Sequence, residues 1–185
     1  MPGPTSSLTT TTTIKNNQQT YKNLFGMKDI EIKINIRHCQ LDELDAADRE
    51  LVECAIEATE NAYAEYSHFF VGAAARLADG TIVKGANQEN AAFPSGLCAE
   101  RTAIFAAQAN YPDQPVTCIA IAARNDCGLL SEPVSPCGAC RQVMTGIESR
   151  YGKDMRVLLY GQNGVYCVAS AKDLMPLSFV DDSMK

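Results

Sequence analysis

Val116-Thr117-Cys118-Ile119-Ala120-Ile121-Ala122-Ala123 is an almost unbroken apolar run. A strand with one face in water alternates apolar and polar residues, whereas a continuous run needs cover on both faces. This run therefore predicts a central strand of a layered sheet, and its flanks supply the layers. Residues 98–109 repeat apolar side chains at helical spacing, with Ala103, Ile104, Ala106 and Ala107 inward, and residues 137–151 read as a second helix. Further out, residues 71–77 and 81–85 flank Ala78-Asp79-Gly80, a hairpin signal. Residues 155–160 and 165–169 flank Gln162-Asn163-Gly164 in the same way. Residues 41–66 carry a helical stripe through Leu51, Val52, Ala55, Ile56, Ala62 and Tyr63. Acidic residues crowd its start, where the helix dipole favours them. Ile30 to Ile36 alternates like a half-buried strand, and residues 171–175 read as a short last helix. The order predicts one α/β domain, a mixed sheet with helices on its faces.

Length and composition narrow the function classes. With 185 residues and 46% hydrophobic side chains, the chain can bury a sizeable core. Its net charge of −6 and lack of a basic stripe argue against nucleic acid and acidic membrane partners. No run is long and apolar enough to span a bilayer, and no signal-peptide core is evident, so a cytoplasmic location is expected. Residues 1–26, with a Thr run at 9–13 and an Asn/Gln patch, read as a disordered extension. The catalytic domain is expected over 27–185. Eight cysteines without a signal point to free thiols or metal ligands rather than disulfides.

Three of those cysteines form a pattern with one glutamate: Cys98-Ala99-Glu100 and Pro136-Cys137-Gly138-Ala139-Cys140. Cys137 and Cys140 lie one helical turn apart, so their sulfurs share a side. Cys98 meets them if both helices lie on one face with their starts together. Helix starts present unpaired N–H groups that favour thiolates. Three thiolates leave the fourth position of a zinc ion open, and Glu100 stands by as a proton carrier. That is the form of a hydrolytic site rather than a structural one, and a pattern of this kind is a worked example of zinc deaminase chemistry. Three thiolates with zinc sum to −1, a poor setting for acidifying water. Arg101 and Arg141, each directly after a ligand segment, are expected to offset this by hydrogen-bonding a ligand sulfur. Read alone, Cys137-x-x-Cys140 also fits a redox pair, and Glu100 also fits simple dipole complementation. His38 and His68 read as surface or packing residues.

The segments Tyr66-Ser67-His68-Phe69, Val71-Gly72-Ala73, Asn87-Gln88-Glu89-Asn90-Ala91, Cys98-Ala99-Glu100-Arg101-Thr102-Ala103 and Ser135-Pro136-Cys137-Gly138-Ala139-Cys140-Arg141-Gln142 together resemble the small homotetrameric zinc-dependent cytidine deaminases. A fainter likeness is Leu174-Met175-Pro176 with Ser178-Phe179. The resemblance spans roughly residues 45–180. It implies a three-layer α/β/α sandwich with a five-stranded mixed sheet, and one Zn2+ per subunit on Cys98, Cys137 and Cys140. It implies that Glu100 shuttles protons while a zinc-bound hydroxide attacks C4 of cytidine or deoxycytidine, in pyrimidine salvage. Asn87 and Glu89 are then expected on the ribose hydroxyls and Phe69 against the nucleoside. Phe179 would reach a neighbouring subunit's site, and Phe93 would lie near substrate, in its own or an adjacent subunit. Phe70, where the family usually has Pro, Gln88, and a longer loop at 124–134 depart from the pattern. A blasticidin-type aminonucleoside deaminase is the alternative reaction. A structural zinc module closed by Cys118 or Cys127 is the alternative class.

Overall fold

A computed structural model describes residues 28–184. Residues 28–33 form no regular secondary structure, and the compact body begins at Ile34. The disorder predicted for residues 1–26 lies outside the described residues.

The body follows the order β1 (Ile36–Cys39), α1 (Ala46–Ala58), β2 (Phe70–Leu77), β3 (Ile82–Ala86), α2 (Ala99–Asn110), β4 (Val116–Asn125), β5 (Gly128–Leu129), α3 (Gly138–Tyr151), β6 (Arg156–Gly161) and β7 (Gly164–Val168). The strands lie in the order β1-β7-β6-β4-β2-β3, with β5 paired to the end of β4. Among the described strands only β4 and β6 run parallel; every other strand pair is antiparallel. Among the described residues the sheet thus has seven strands, not the predicted five. A central five, β3-β2-β4-β6-β7, is extended by β1 on the outer edge of β7. The seventh is a two-residue return in which Leu129 pairs Arg124 and Gly128 pairs Asn125.

The apolar run at 116–123 is the core of β4, between β2 and β6, and it is covered on both faces as predicted. Ile119 and Ile121 pack with Ala103, Ile104 and Ala107 of α2 and Met144 and Ile147 of α3. Cys118, Ala120 and Ala122 point the other way, to Leu51, Val52 and Ala55 of α1. Glycine lets the helices close on the sheet: a Cβ on Gly85 would lie 2.4 Å from Ala103 N, and one on Gly72 would lie 2.1 Å from Ala55 O.

Two sequence expectations change. The strand expected over residues 30–36 pairs only from Ile36, where β7 offers a partner. The helix expected through residue 66 ends at Ala58; a 3-10 turn follows (Thr59–Asn61), and Tyr63 bridges to Gln88. Ala62 and Tyr63 are therefore not on the helical stripe.

Buried charge fixes the frame. Glu148 of α3 is fully buried, and its carboxylate accepts from Met155 N, Ala171 N, Lys172 N and Ser170 Oγ at 2.7–3.2 Å. It thereby ties α3 to the start of β6 and the turn after β7. No helix among the described residues is long and apolar enough to cross a membrane.

Candidate active site

Cys98 is the N-cap of α2 and Cys137 the N-cap of α3, both in extended conformation and neither capping with its sulfur. The thiols are thus free at two positive helix ends. Cys140 follows one turn into α3. The sulfurs of Cys98 and Cys137 lie 3.8 Å apart and those of Cys137 and Cys140 3.3 Å apart. All three fall within 4.8 Å of one another, and among the described residues no fourth His, Cys, Asp or Glu joins the group. Zn–S bonds of about 2.3 Å in a tetrahedron put sulfurs about 3.8 Å apart, so the cradle fits zinc with one position left over. Cys118, weighed as a fourth ligand, faces the α1 side of the sheet instead. Cys127 lies exposed in the β4–β5 turn.

Arg101, one turn into α2, donates from Nη2 to Cys98 Sγ at 3.4 Å. Hydrogen bonds from the Cys140 thiol and Arg101 bring Cys98 down to about 5 against the pull of burial. The hydrogen bond with Cys98, together with burial, pushes the Cys140 thiol up. Arg141 does something different from its expected role. Its Nε donates to Pro136 O at 2.7 Å and its Nη1 to Leu174 O at 2.9 Å. It braces the turn that precedes Cys137 rather than a sulfur.

Glu100 is only 4% exposed, between the thiols and the core. Burial, reinforced by the Cys98 charge, pushes its carboxyl above the usual carboxylate range. A cleft of about 450 Å³ opens onto Cys98, Cys137 and Glu100, and Phe69, Asn87 and Glu89 line it as well. Asn87 Oδ1 accepts from Val71 N at 2.8 Å and its Nδ2 donates to Phe69 O at 2.9 Å, which fixes the backbone of Phe69. One amide hydrogen and one lone pair remain for a ligand. Glu89 Oε2 accepts from Tyr66 N at 2.8 Å and Ser67 N at 3.3 Å. Together with the Ser67 hydroxyl, these bonds hold the carboxyl below its ordinary value.

Two predicted contacts do not reach this cleft within one chain. Phe93 is 72% exposed, edge-on to Tyr66 at 5.6 Å in an adjoining hollow. Phe179 is 60% exposed, with its carbonyl accepting from Gln142 Nε2 at 2.6 Å. Conversely, Ser67, Ile121, Val134 and Ser135 line the cleft without having been singled out. Ser67 and Ser135 sit inside the quoted motifs, which was the available signal; Ile121 and Val134 carry none.

Residues 45–153 match the family model for the cytidine and deoxycytidylate deaminase zinc-binding region. A cytidine deaminase of Halalkalibacterium halodurans is 41% identical over 134 residues, covering 72% of this chain and 95% of that protein. Solved structures of cytidine deaminases are similar too. That from Burkholderia pseudomallei has a TM-score of 0.60 at 42% identity, over 70% of this chain and 97% of that one. That from Mycobacterium tuberculosis has a TM-score of 0.57 at 29% identity, over 73% and 98%.

Proposed function

We propose, from the premise that this chain belongs to the cytidine and deoxycytidylate deaminase family, that it hydrolyses cytidine and deoxycytidine to uridine and deoxyuridine with release of ammonia. The observation that carries the reading is Glu100: a buried carboxyl, with a raised affinity for protons, beside three thiols that leave a zinc coordination position open. Cys98, Cys137 and Cys140 would hold zinc, which would supply Lewis-acid activation of water at neutral pH. The chain's own residues do the rest. Glu100 takes one proton from the attacking water and gives it to N3 of the ring; it then takes the remaining proton, from the hydroxyl newly bound to C4, and gives it to the departing amine as the carbonyl forms. Its raised pKa brings it nearer both donor and acceptor. Arg101 offsets the negative charge of the thiolates through Cys98. Asn87 and Glu89 bind the ribose hydroxyls, the ionised Glu89 accepting and the Asn87 amide donating. Phe69 packs on the nucleoside. The apolar walls around Glu100 exclude bulk water.

The active enzyme, in this reading, is a cytoplasmic homotetramer serving pyrimidine salvage, each catalytic domain spanning residues 27–185. The exposure of Phe93 and Phe179 supports sites shared between subunits. Phe179→Ala should then raise KM strongly in a protein of unchanged melting temperature; an unaltered KM removes the shared site. The reaction itself is tested by ultraviolet absorbance with cytidine and deoxycytidine. Zinc-dependent loss of the cytidine band with equimolar ammonia is expected. Turnover of blasticidin with neither nucleoside consumed would overturn the substrate assignment.

A further inference from the structure

Away from the cleft, two cysteines at the rim of the α1-side core share a second thiol site. Cys39 ends β1 and Cys167 sits in β7. In their antiparallel register Arg37 faces Cys167 and Cys39 faces Val165, so the cysteines are diagonal neighbours on one face. Their sulfurs lie 3.6 Å apart, and both residues are half-buried. Both open onto a cleft of about 440 Å³ that also carries Arg37, Arg156 and Asp48. Small molecules can therefore reach two thiols at once, past a mixed-charge rim of Arg37, Arg156, Glu43 and Asp45. The Asp48 carboxylate is already engaged by Arg76 and Arg156.

We propose that Cys39 and Cys167 form a vicinal dithiol that closes reversibly to a cross-strand disulfide through exchange with a low-molecular-weight disulfide of the glutathione class. The Cys39 thiolate attacks one sulfur of the oxidised reagent, forming a mixed disulfide and expelling one glutathione thiolate. The Cys167 thiol then gives up its proton, and its sulfur attacks Cys39 Sγ and expels the second. The two protein thiols lose two electrons and two protons, and the reagent's disulfide gains both. Burial and the hydrogen bond with Cys39 push the Cys167 thiol up to about 12, which makes Cys167 a poor first nucleophile.

Geometry makes the bond reversible. A relaxed disulfide wants Cβ atoms about 3.8 Å apart, whereas diagonal neighbours in a sheet sit farther off. Closure must draw β1 toward β7. Among the described strands β1 pairs only with β7, so it can move. A disulfide closed under such strain is easily reduced. The same pair should chelate a trivalent arsenical, which needs two thiols at contact distance and no oxidant.

The experiment uses the zinc-loaded full chain, whose metal protects the other thiolates. Incubation with oxidised glutathione should remove two alkylatable thiols beyond exposed Cys127, give a linked Cys39–Cys167 peptide by mass spectrometry, and reverse fully with dithiothreitol. Cys39→Ser should form no internal disulfide, and Cys167→Ser should trap one glutathione on Cys39. Phenylarsine oxide should bind wild type with one equivalent more than Cys39→Ser. That comparison decides the matter by itself if Cys167→Ser fails to fold. Full alkylation of both thiols under oxidation that modifies exposed Cys127, or equal arsenical uptake by wild type and Cys39→Ser, overturns the proposal.

Discussion

Glu100 and Asp48 are equally buried, each 4% exposed, on opposite sides of the same sheet, yet their surroundings differ. Asp48 accepts from Arg76 at 2.5 Å and from Arg156 at 2.5 and 2.7 Å. Its charge is compensated, and it joins α1 to β2 and β6. Among the described residues Glu100 makes no ion pair; burial and the like charge of Cys98 raise its carboxyl, and the Arg101 charge offsets them only in part. Asp48, like Glu148, serves the fold with its acceptor capacity matched by donors, two guanidiniums in the one case and backbone N–H groups with a hydroxyl in the other, whereas Glu100 is given no ion pair. The first arrangement stabilises the ionised form, and the second keeps protonation within reach.

The largest expected effect breaks this comparison at Glu100. Glu100→Gln preserves shape and removes the exchangeable proton, so kcat should fall about 10²–10⁴-fold, the usual worth of a positioned acid–base group. Zinc content by atomic absorption should stay at one per chain. Undiminished turnover would show that Glu100 only complements the α2 dipole. The counterpart is Asp48→Ala, which leaves two guanidinium groups facing each other. Loss of one partner of a buried pair costs about 3–5 kcal/mol. Arg156 is 46% exposed and can rehydrate, so the lower end is expected. Urea unfolding should register about 3 kcal/mol, while activity per folded molecule stays unchanged. Next in size is Arg101→Ala. Removal of a group that bonds a ligand sulfur typically costs about 10–100-fold in metal affinity or activity. Competition with a chelator should show zinc released earlier than from wild type.

Local pattern made the site legible, and long-range pairing hid the rest. Cys98, Glu100, Cys137 and Cys140 could be read because helix-start chemistry and three-residue spacing are local, and the helices that carry them flank a strand whose apolar run announces its place. Arg101 was readable for the same reason, being one turn from Cys98. Arg141 was misjudged because its partners, Pro136 O and Leu174 O, are set by where the chain after β7 returns. Asp48 looked like one more acidic residue at a helix start. Its burial depends on Arg76 and Arg156, 28 and 108 positions away. The strand count erred at the edges, where β1 and the two residues of β5 have pairing partners that no local pattern names.

The smallest effect sharpens the comparison most, because the two carboxyls should respond to pH with opposite sign. Burial alone would raise Asp48, but hydrogen bonds from Arg156 and Arg76 and their charges outweigh it and set the group below its ordinary 3.8. A carboxyl lowered by folding stabilises the fold above its unfolded pKa, and that contribution is lost as pH falls through the folded value. Burial raises Glu100 above its ordinary 4.5, so its ionisation weakens the fold as pH climbs past 4.5, with the full penalty reached above the folded pKa. Urea midpoints of metal-stripped wild type, Asp48→Asn and Glu100→Gln from pH 3 to 7 separate the two. The deficit of Asp48→Asn should shrink toward acid. Glu100→Gln should match wild type near pH 4 and exceed it at pH 7. Parallel curves for Glu100→Gln and wild type would mean that the carboxyl titrates as though in water. The contrast between the two faces of the sheet would then rest on their hydrogen bonds and not on their protons.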